Sequence, residues 1–128
     1  MLGPISHVAL VVSDPARTAA LFQQLFEAPT VKRVDEEGHD ETFVRLGETW
    51  FLLAKGSIER PRTGDHIAFR VSKTAVDAMV AKLKAMGMEF ILARADTSLY
   101  FFDYDNHVFE LDTTDLAAEL RALKAARS

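Results

Sequence analysis

The sequence predicts an α+β fold: two βαβββ repeats form curved mixed sheets around a cavity, and a C-terminal helix follows. Three observations predict it. The stretch SHVALVVSDPARTAALFQQLFEA (6–28) recurs in pattern as DHIAFRVSKTAVDAMVAKLKAMG (65–87), at an offset of 59 that pairs His7 with His66, Ala9 with Ala68, Val12 with Val71, Ser13 with Ser72, Ala16 with Ala75 and Ala19 with Ala78. Duplication of a supersecondary unit is a statement about architecture. Each copy passes from a strand to an amphipathic helix and is followed by three shorter β candidates. At 128 residues the chain makes one domain (1–128) with a sizeable core. Its repeat units run over about 1–56 and 64–113, and its last helix over about 114–126.

Ile5 to Val12 is a β-branched apolar run that reads as a strand. Ser13-Asp14-Pro15 supplies a cap and a proline suited to a first helical turn. From Ala16 to Phe26, apolar residues at Ala19, Leu21, Phe22, Leu25 and Phe26 mark a helix. Strands follow at 30–34, 41–46 and 49–54. The first two are separated by the charged stretch DEEGHD, and the last two are joined by a tight Gly47-Glu48 turn. GSIERPRTG (56–64) is a polar linker. The order then repeats: strand 65–71, helix 74–86 ending at Gly87, and strands 88–93, 98–103 and 107–112. The tail 114–126 has helix-forming composition, with Leu116, Leu120 and Leu123 at helical spacing.

Composition excludes several classes of function. Hydrophobic residues are 48% and charged residues 27%, the profile of an ordinary soluble protein. A net charge of −4 argues against a nucleic-acid footprint. No apolar run approaches the ~20 residues of a membrane span, and MLGPISHV lacks the features of a signal peptide. With no cysteine there are no disulfides or thiolate metal sites, which accords with a cytoplasmic location.

The chemistry is expected in the cavity. On the first strand Val8, Leu10 and Val12 share one face, leaving His7, Ala9 and Val11 on the other. The following helix should cover the first face, so His7 points inward, as do His66, Ala68 and Arg70 in the second copy. Glu110 sits within VFEL, where a strand normally buries something apolar. Taken singly, either histidine reads as a satisfied core or edge residue, and Glu110 as a partner for Arg70. Their equivalent places in a repeat favour the sharper reading. Two imidazoles and a carboxylate make a nitrogen/oxygen site for a divalent transition metal with open positions. His107 is expected at the surface, and Asp103 and Asp105 in a turn. His39 lies in a charged loop, and Trp50 and Phe51 read as packing residues.

The pattern with HVAL, HIAF and HVFEL resembles the vicinal oxygen chelate superfamily of glyoxalase I, bleomycin-binding proteins, extradiol dioxygenases and fosfomycin-resistance proteins. The resemblance covers essentially the whole chain. SHVALVV, ETFVRLGETWFLLAKG (41–56) and LYFFDYDNHVFELDT (99–113) are most similar to the fosfomycin-resistance branch, particularly its hydrolytic members.

That resemblance implies metal ligands His7, His66 and Glu110. It implies Mn²⁺ as the metal (Fe²⁺, Ni²⁺ or Zn²⁺ as alternatives) and a homodimer in which one chain gives His7 and the other His66 and Glu110. Aligning on Leu46-Gly47-Glu48-Thr49-Trp50 puts Glu41 where the hydrolytic members carry a general base for water attacking an epoxide. Trp50, Arg94, Ser98 and Tyr100 are the residues expected to bind a small anionic substrate. Two positions depart from the branch. Ala9 stands where it has threonine, and Glu119 stands where it has a phosphonate-binding arginine, with Arg121 nearby. An extradiol dioxygenase using the same ligands, or a drug-binding protein of the bleomycin type, are the alternatives. Glyoxalase I activity is disfavoured because position 53, near its fourth ligand, lies in the apolar run FLLA.

Overall fold

The computed structural model describes residues 1–57 and 59–127; Ile58, within the predicted linker, and Ser128 lie outside them. The chain divides into two compact units, Met1–Gly64 with Phe102–Val108, and Asp65–Phe101 with Phe109–Ser128. The strand pair predicted to close the second repeat therefore lends its connecting turn to the first unit.

In the first unit, β1 (His7–Val12), α1 (Pro15–Phe26), β2 (Thr30–Val34), β3 (Asp40–Leu46) and β4 (Thr49–Lys55) follow the predicted order. The sheet runs β1-β4-β3-β2, with β1 and β4 parallel and the remaining pairs antiparallel. Helix α1 starts where Asp14, in extended conformation, accepts a hydrogen bond from the Arg17 backbone N–H at 3.2 Å, with Pro15 at the first helical position. It ends at Glu27, in the left-handed region (φ 54°), whose N–H reaches back to the last carbonyls. Its buried stripe of Thr18, Ala19, Leu21, Phe22 and Leu25, together with Val12, Val44, Phe51 and Leu53, makes the core of this unit. The β3–β4 hairpin turns in two residues because Gly47 adopts φ 62° without a side-chain clash. In the β2–β3 loop, Asp35 Oδ1 accepts from the backbone N–H groups of Glu37 and His39. The His39 N–H is the largest of several influences that hold the Asp35 carboxyl below its ordinary pKa. His39 is thus tied to its own loop, 3.2 Å from Asp35 Oδ2.

The second unit repeats this topology. Its elements are β5 (Ile67–Arg70), α2 (Lys73–Ala85), β6 (Phe90–Ala93), β7 (Ser98–Phe102), β8 (Val108–Asp112) and α3 (Leu116–Ala126), and its sheet order is β5-β8-β7-β6. Ser72, the repeat partner of Ser13, caps α2 through the Ala75 N–H at 3.1 Å, so the cap falls one residue later in the first copy, at Asp14. Val76, Met79 and Leu83 of α2 are buried along with Leu99, Phe101, Phe109 and Leu111, and the rings of Phe101 and Phe109 stack at 5.3 Å. Helix α3 is capped by Asp115, but none of its residues is buried, and Leu116, Leu120 and Leu123 stay exposed.

Two expectations are corrected. His107 does not lie on the surface: its side chain is 10% exposed, and its Nδ1 stands 2.7 Å from Asp103 Oδ2. Asp103 also accepts from the backbone N–H groups of Asp105 and His107, which closes the predicted turn around Asn106 in the left-handed region. Arg70 pairs with Asp115, not with Glu110. No helix among the described residues is long and apolar enough to cross a membrane.

Candidate active site

The sheet register decides which side chains share a face. In the first unit His7 lies opposite Trp50, Arg45 opposite Trp50, Phe43 opposite Leu52, Val31 opposite Phe43, and Arg33 opposite Glu41. Alternation therefore collects His7, Trp50, Phe43, Val31, Arg33 and Glu41 on one face. Val8, Leu10, Val44 and Leu46 take the other face with the core, where Leu10, Val44 and Leu46 are buried. A pocket of about 270 Å³ on the first face is lined by Ser6, His7, Val31, Arg33, Phe43 and Trp50. The His7 ring nitrogen Nδ1 lies 3.1 Å from the Ser6 hydroxyl, which orients the imidazole. Glu41 is partly buried, and its Oε1 accepts from Arg33 Nε at 2.7 Å.

In the second unit Ala68 lies opposite Glu110, Arg70 opposite Asp112, and Ile91 and Ala93 opposite Tyr100 and Ser98. Glu110 is 3% exposed, and both its oxygens are engaged. Oε1 stands 3.1 Å from His66 Nε2, and Oε2 is bound by Arg94 Nη2. The same guanidinium nitrogen donates to the Tyr100 hydroxyl at 3.2 Å, and the Tyr100 ring meets His66 edge-on at 5.7 Å. Glu110 is the main reason the Arg94 pKa is pushed above its already high ordinary value, against a smaller opposing effect of desolvation. Ser98 is fully buried, and its hydroxyl faces Asp112 at 3.4 Å.

The structure thus brings His66, Glu110, Arg94 and Tyr100 together in one unit, and His7, Trp50 and Glu41 onto one face of the other. Within neither unit do three His, Asp or Glu side chains of the described residues converge as a metal-binding group. The donor set still fits a divalent ion, since an imidazole nitrogen and a buried carboxylate oxygen already face one another with a second oxygen alongside. The register also refines the repeat. Ala9 pairs with Leu52 as Ala68 pairs with Glu110, so the first-unit counterpart of Glu110 is Leu52 rather than residue 53. Only one copy offers a carboxylate.

Arg33 is the participant that sequence reasoning missed. Its signal was the alternation of TVKRV, which sets Val31 and Arg33 on one face. Its meeting with Glu41 depends on a register that no local pattern specifies.

A family model, the Glyoxalase/Bleomycin resistance protein/Dioxygenase superfamily, matches residues 4–111. The fosfomycin resistance protein FosX of Listeria innocua is 30% identical over 129 residues, spanning 94% of this chain and 97% of that one. The metallothiol transferase FosB of Shouchella clausii is 28% identical, over 94% and 86%. Among solved structures, a FosX mutant from Listeria monocytogenes complexed with Mn(II) and 1S,2S-dihydroxypropylphosphonic acid has a TM-score of 0.81 and 33% identity, with coverage of 94% of this chain and 99% of that one. FosX from Mesorhizobium loti has a TM-score of 0.80 and 28% identity. The chain belongs to the glyoxalase/bleomycin resistance protein/dioxygenase superfamily and, within it, is similar to the FosX fosfomycin resistance proteins over most of its length.

Proposed function

We propose that this protein is a divalent-metal-dependent enzyme that opens the epoxide of fosfomycin, or of a closely related small phosphonate, with water. The observation that carries the reading is the pair formed by the buried Glu110 and His66, with His7 at the equivalent place in the other repeat. His7, His66 and Glu110 are the proposed ligands, Mn²⁺ is the proposed metal, and a cytoplasmic homodimer with sites shared between chains is the proposed assembly. The bound ion supplies Lewis acidity toward the epoxide and phosphonate oxygens.

The chain's own residues do the rest. Glu41 takes a proton from water as the water oxygen bonds to an epoxide carbon. The ring C–O bond breaks, and the released oxygen is protonated from solvent, which leaves a vicinal diol. Arg33 holds one oxygen of Glu41 and so leaves the other to receive the proton. Trp50 forms an apolar wall beside His7. Tyr100 and Arg94, with Ser98 two residues before Tyr100 on the same strand face, form the wall beside Glu110. A dihydroxypropylphosphonate is what water addition to an epoxypropylphosphonate yields, and it is the class of molecule complexed in the FosX relative.

A second reading, in which a thiol opens the ring, is favoured by the likeness to the FosB metallothiol transferases. Phosphorus NMR separates the two. The expected result is conversion of fosfomycin to the diol phosphonate in Mn²⁺-containing buffer, unaffected by added thiols. A thiol-dependent adduct would establish the second reading, and no conversion under either condition would remove fosfomycin as substrate.

A further inference from the structure

Arg33 stands between two clefts of opposite character. On one side is a cleft of about 450 Å³ whose walls include Asp35, Glu36, Glu37 and Glu41. On the other is the pocket of about 270 Å³ beside His7, where Arg33 is the one residue with a fixed charge among Ser6, Val31, Phe43 and Trp50. An anion is repelled from the first and drawn into the second. Register places the arginine there, since β2 pairs Arg33 with Glu41 on the face that Val31 and Phe43 share.

Glu41 uses only part of this guanidinium. Arg33 Nε donates to Glu41 Oε1 at 2.7 Å, and the guanidinium carbon lies over the Phe43 ring, 5.1 Å from its centroid. Among the described residues, Glu41 is the one group that accepts a hydrogen bond from Arg33. Nη1 and Nη2 therefore remain as a fork, the geometry that meets two oxygens of a phosphonate, sulfate or carboxylate. An arginine–glutamate pair this exposed contributes little to stability, so the sheet does not require it. Glu41 at one edge and Phe43 against the plane hold the fork in place before any anion arrives, which lowers the cost of binding one. The carbon skeleton of an anion so held has Val31, Phe43 and Trp50 to lie against.

We propose that Arg33 is a specificity-determining residue with two simultaneous duties: Nε seats Glu41, and the terminal nitrogens receive an oxyanion of the substrate. One guanidinium bridging the two fixes the distance between the base and the anionic group. The substrate class it selects is an epoxide that carries its phosphonate, or another forked oxyanion, directly on a ring carbon. That arrangement keeps the attacked carbon within reach of the water that Glu41 deprotonates. The inference rests on the proposed role of Glu41 and adds the anionic group that Arg33 would recognise beside it.

Trp50 is the only tryptophan of the chain and lines this pocket, so its fluorescence reads occupancy there. The test titrates Mn²⁺-loaded protein with methylphosphonate in wild type, Arg33→Met, Arg33→Lys and Lys32→Met. Lys32 pairs with Thr42 on the opposite face, so its loss changes net charge equally without touching the fork. Arg33→Met should bind methylphosphonate more weakly by about tenfold to a hundredfold, the scale of a charge-assisted pair. Arg33→Lys should recover part of that loss, because it keeps the charge and not the fork. Lys32→Met should stay within about twofold of wild type, its charge being screened by solvent. In turnover of fosfomycin, Arg33→Met should raise KM by the factor lost in affinity, with a smaller fall in kcat than Glu41→Gln shows. Unchanged methylphosphonate affinity in Arg33→Met, or an equal loss in Lys32→Met, would overturn the proposal. Weakened binding in Arg33→Met alongside a wild type that does not convert fosfomycin would support the anion site and remove only the substrate reading. If Arg33→Met does not fold, Arg33→Gln is judged by the same criteria.

Discussion

Glu110→Gln is expected to abolish function while preserving the fold. Gln matches Glu in size, so the side chain still fills its place between His66 and Arg94, but it no longer carries the charge that attracts a divalent ion. Removing an outer partner of a metal ligand costs 10–100-fold in metal affinity, and removing the ligand's charge should exceed about 100-fold. Since polarisation by a metal lowers a barrier by several kcal/mol, turnover should fall by about 10³ or more. Mn²⁺ titration, phosphorus NMR and far-UV circular dichroism measure the three quantities separately. Lost metal binding with an unaltered spectrum is the expected combination, and metal binding at wild-type strength would take Glu110 out of the ligand set.

Glu41→Gln should behave differently. Glu41 sits on the face that also bears His7 and Trp50, yet in the proposed role it touches the water and not the metal. Mn²⁺ affinity and fosfomycin binding should stay near wild type, while kcat falls by about 10²–10⁴, the range spanned by loss of a general base. Glu41 also holds the Arg33 guanidinium, and Gln keeps an acceptor oxygen for it, so the local strand pairing should survive. A kcat within a few-fold of wild type would assign the proton to another acceptor. A large drop in metal affinity would mean that Glu41 reaches the ion.

Much of this was legible in the chain because two kinds of information are local. Hydrophobic periodicity located every strand and helix, and the offset of 59 linked His7 to His66 without any knowledge of contacts. Glu110 stood out because a carboxylate inside VFEL contradicts its surroundings. What escaped was set by register and by backbone conformations that composition does not announce. Arg33 meets Glu41 only because β2 and β3 pair in one register. The residues ARAD contain neither glycine nor asparagine, so nothing in them signals three consecutive left-handed residues. His107 looked like a turn-side surface residue, but Asp103 draws it inward through a four-residue Asx arrangement whose closure depends on the left-handed Asn106. The four-residue connection between β6 and β7 is what gives Arg94, rather than a residue of α3, its hold on Glu110.

The central claim is that equivalent histidines from the two repeats join Glu110 on one metal. Electron spin-echo modulation of Mn²⁺ bound to the protein tests it most directly, because each coordinated imidazole leaves a nitrogen signature. One Mn²⁺ per chain with modulation from two imidazoles, reduced to one in His7→Ala and likewise in His66→Ala, is the predicted result. A bound Mn²⁺ whose nitrogen modulation is the same in wild type and His7→Ala would contradict it.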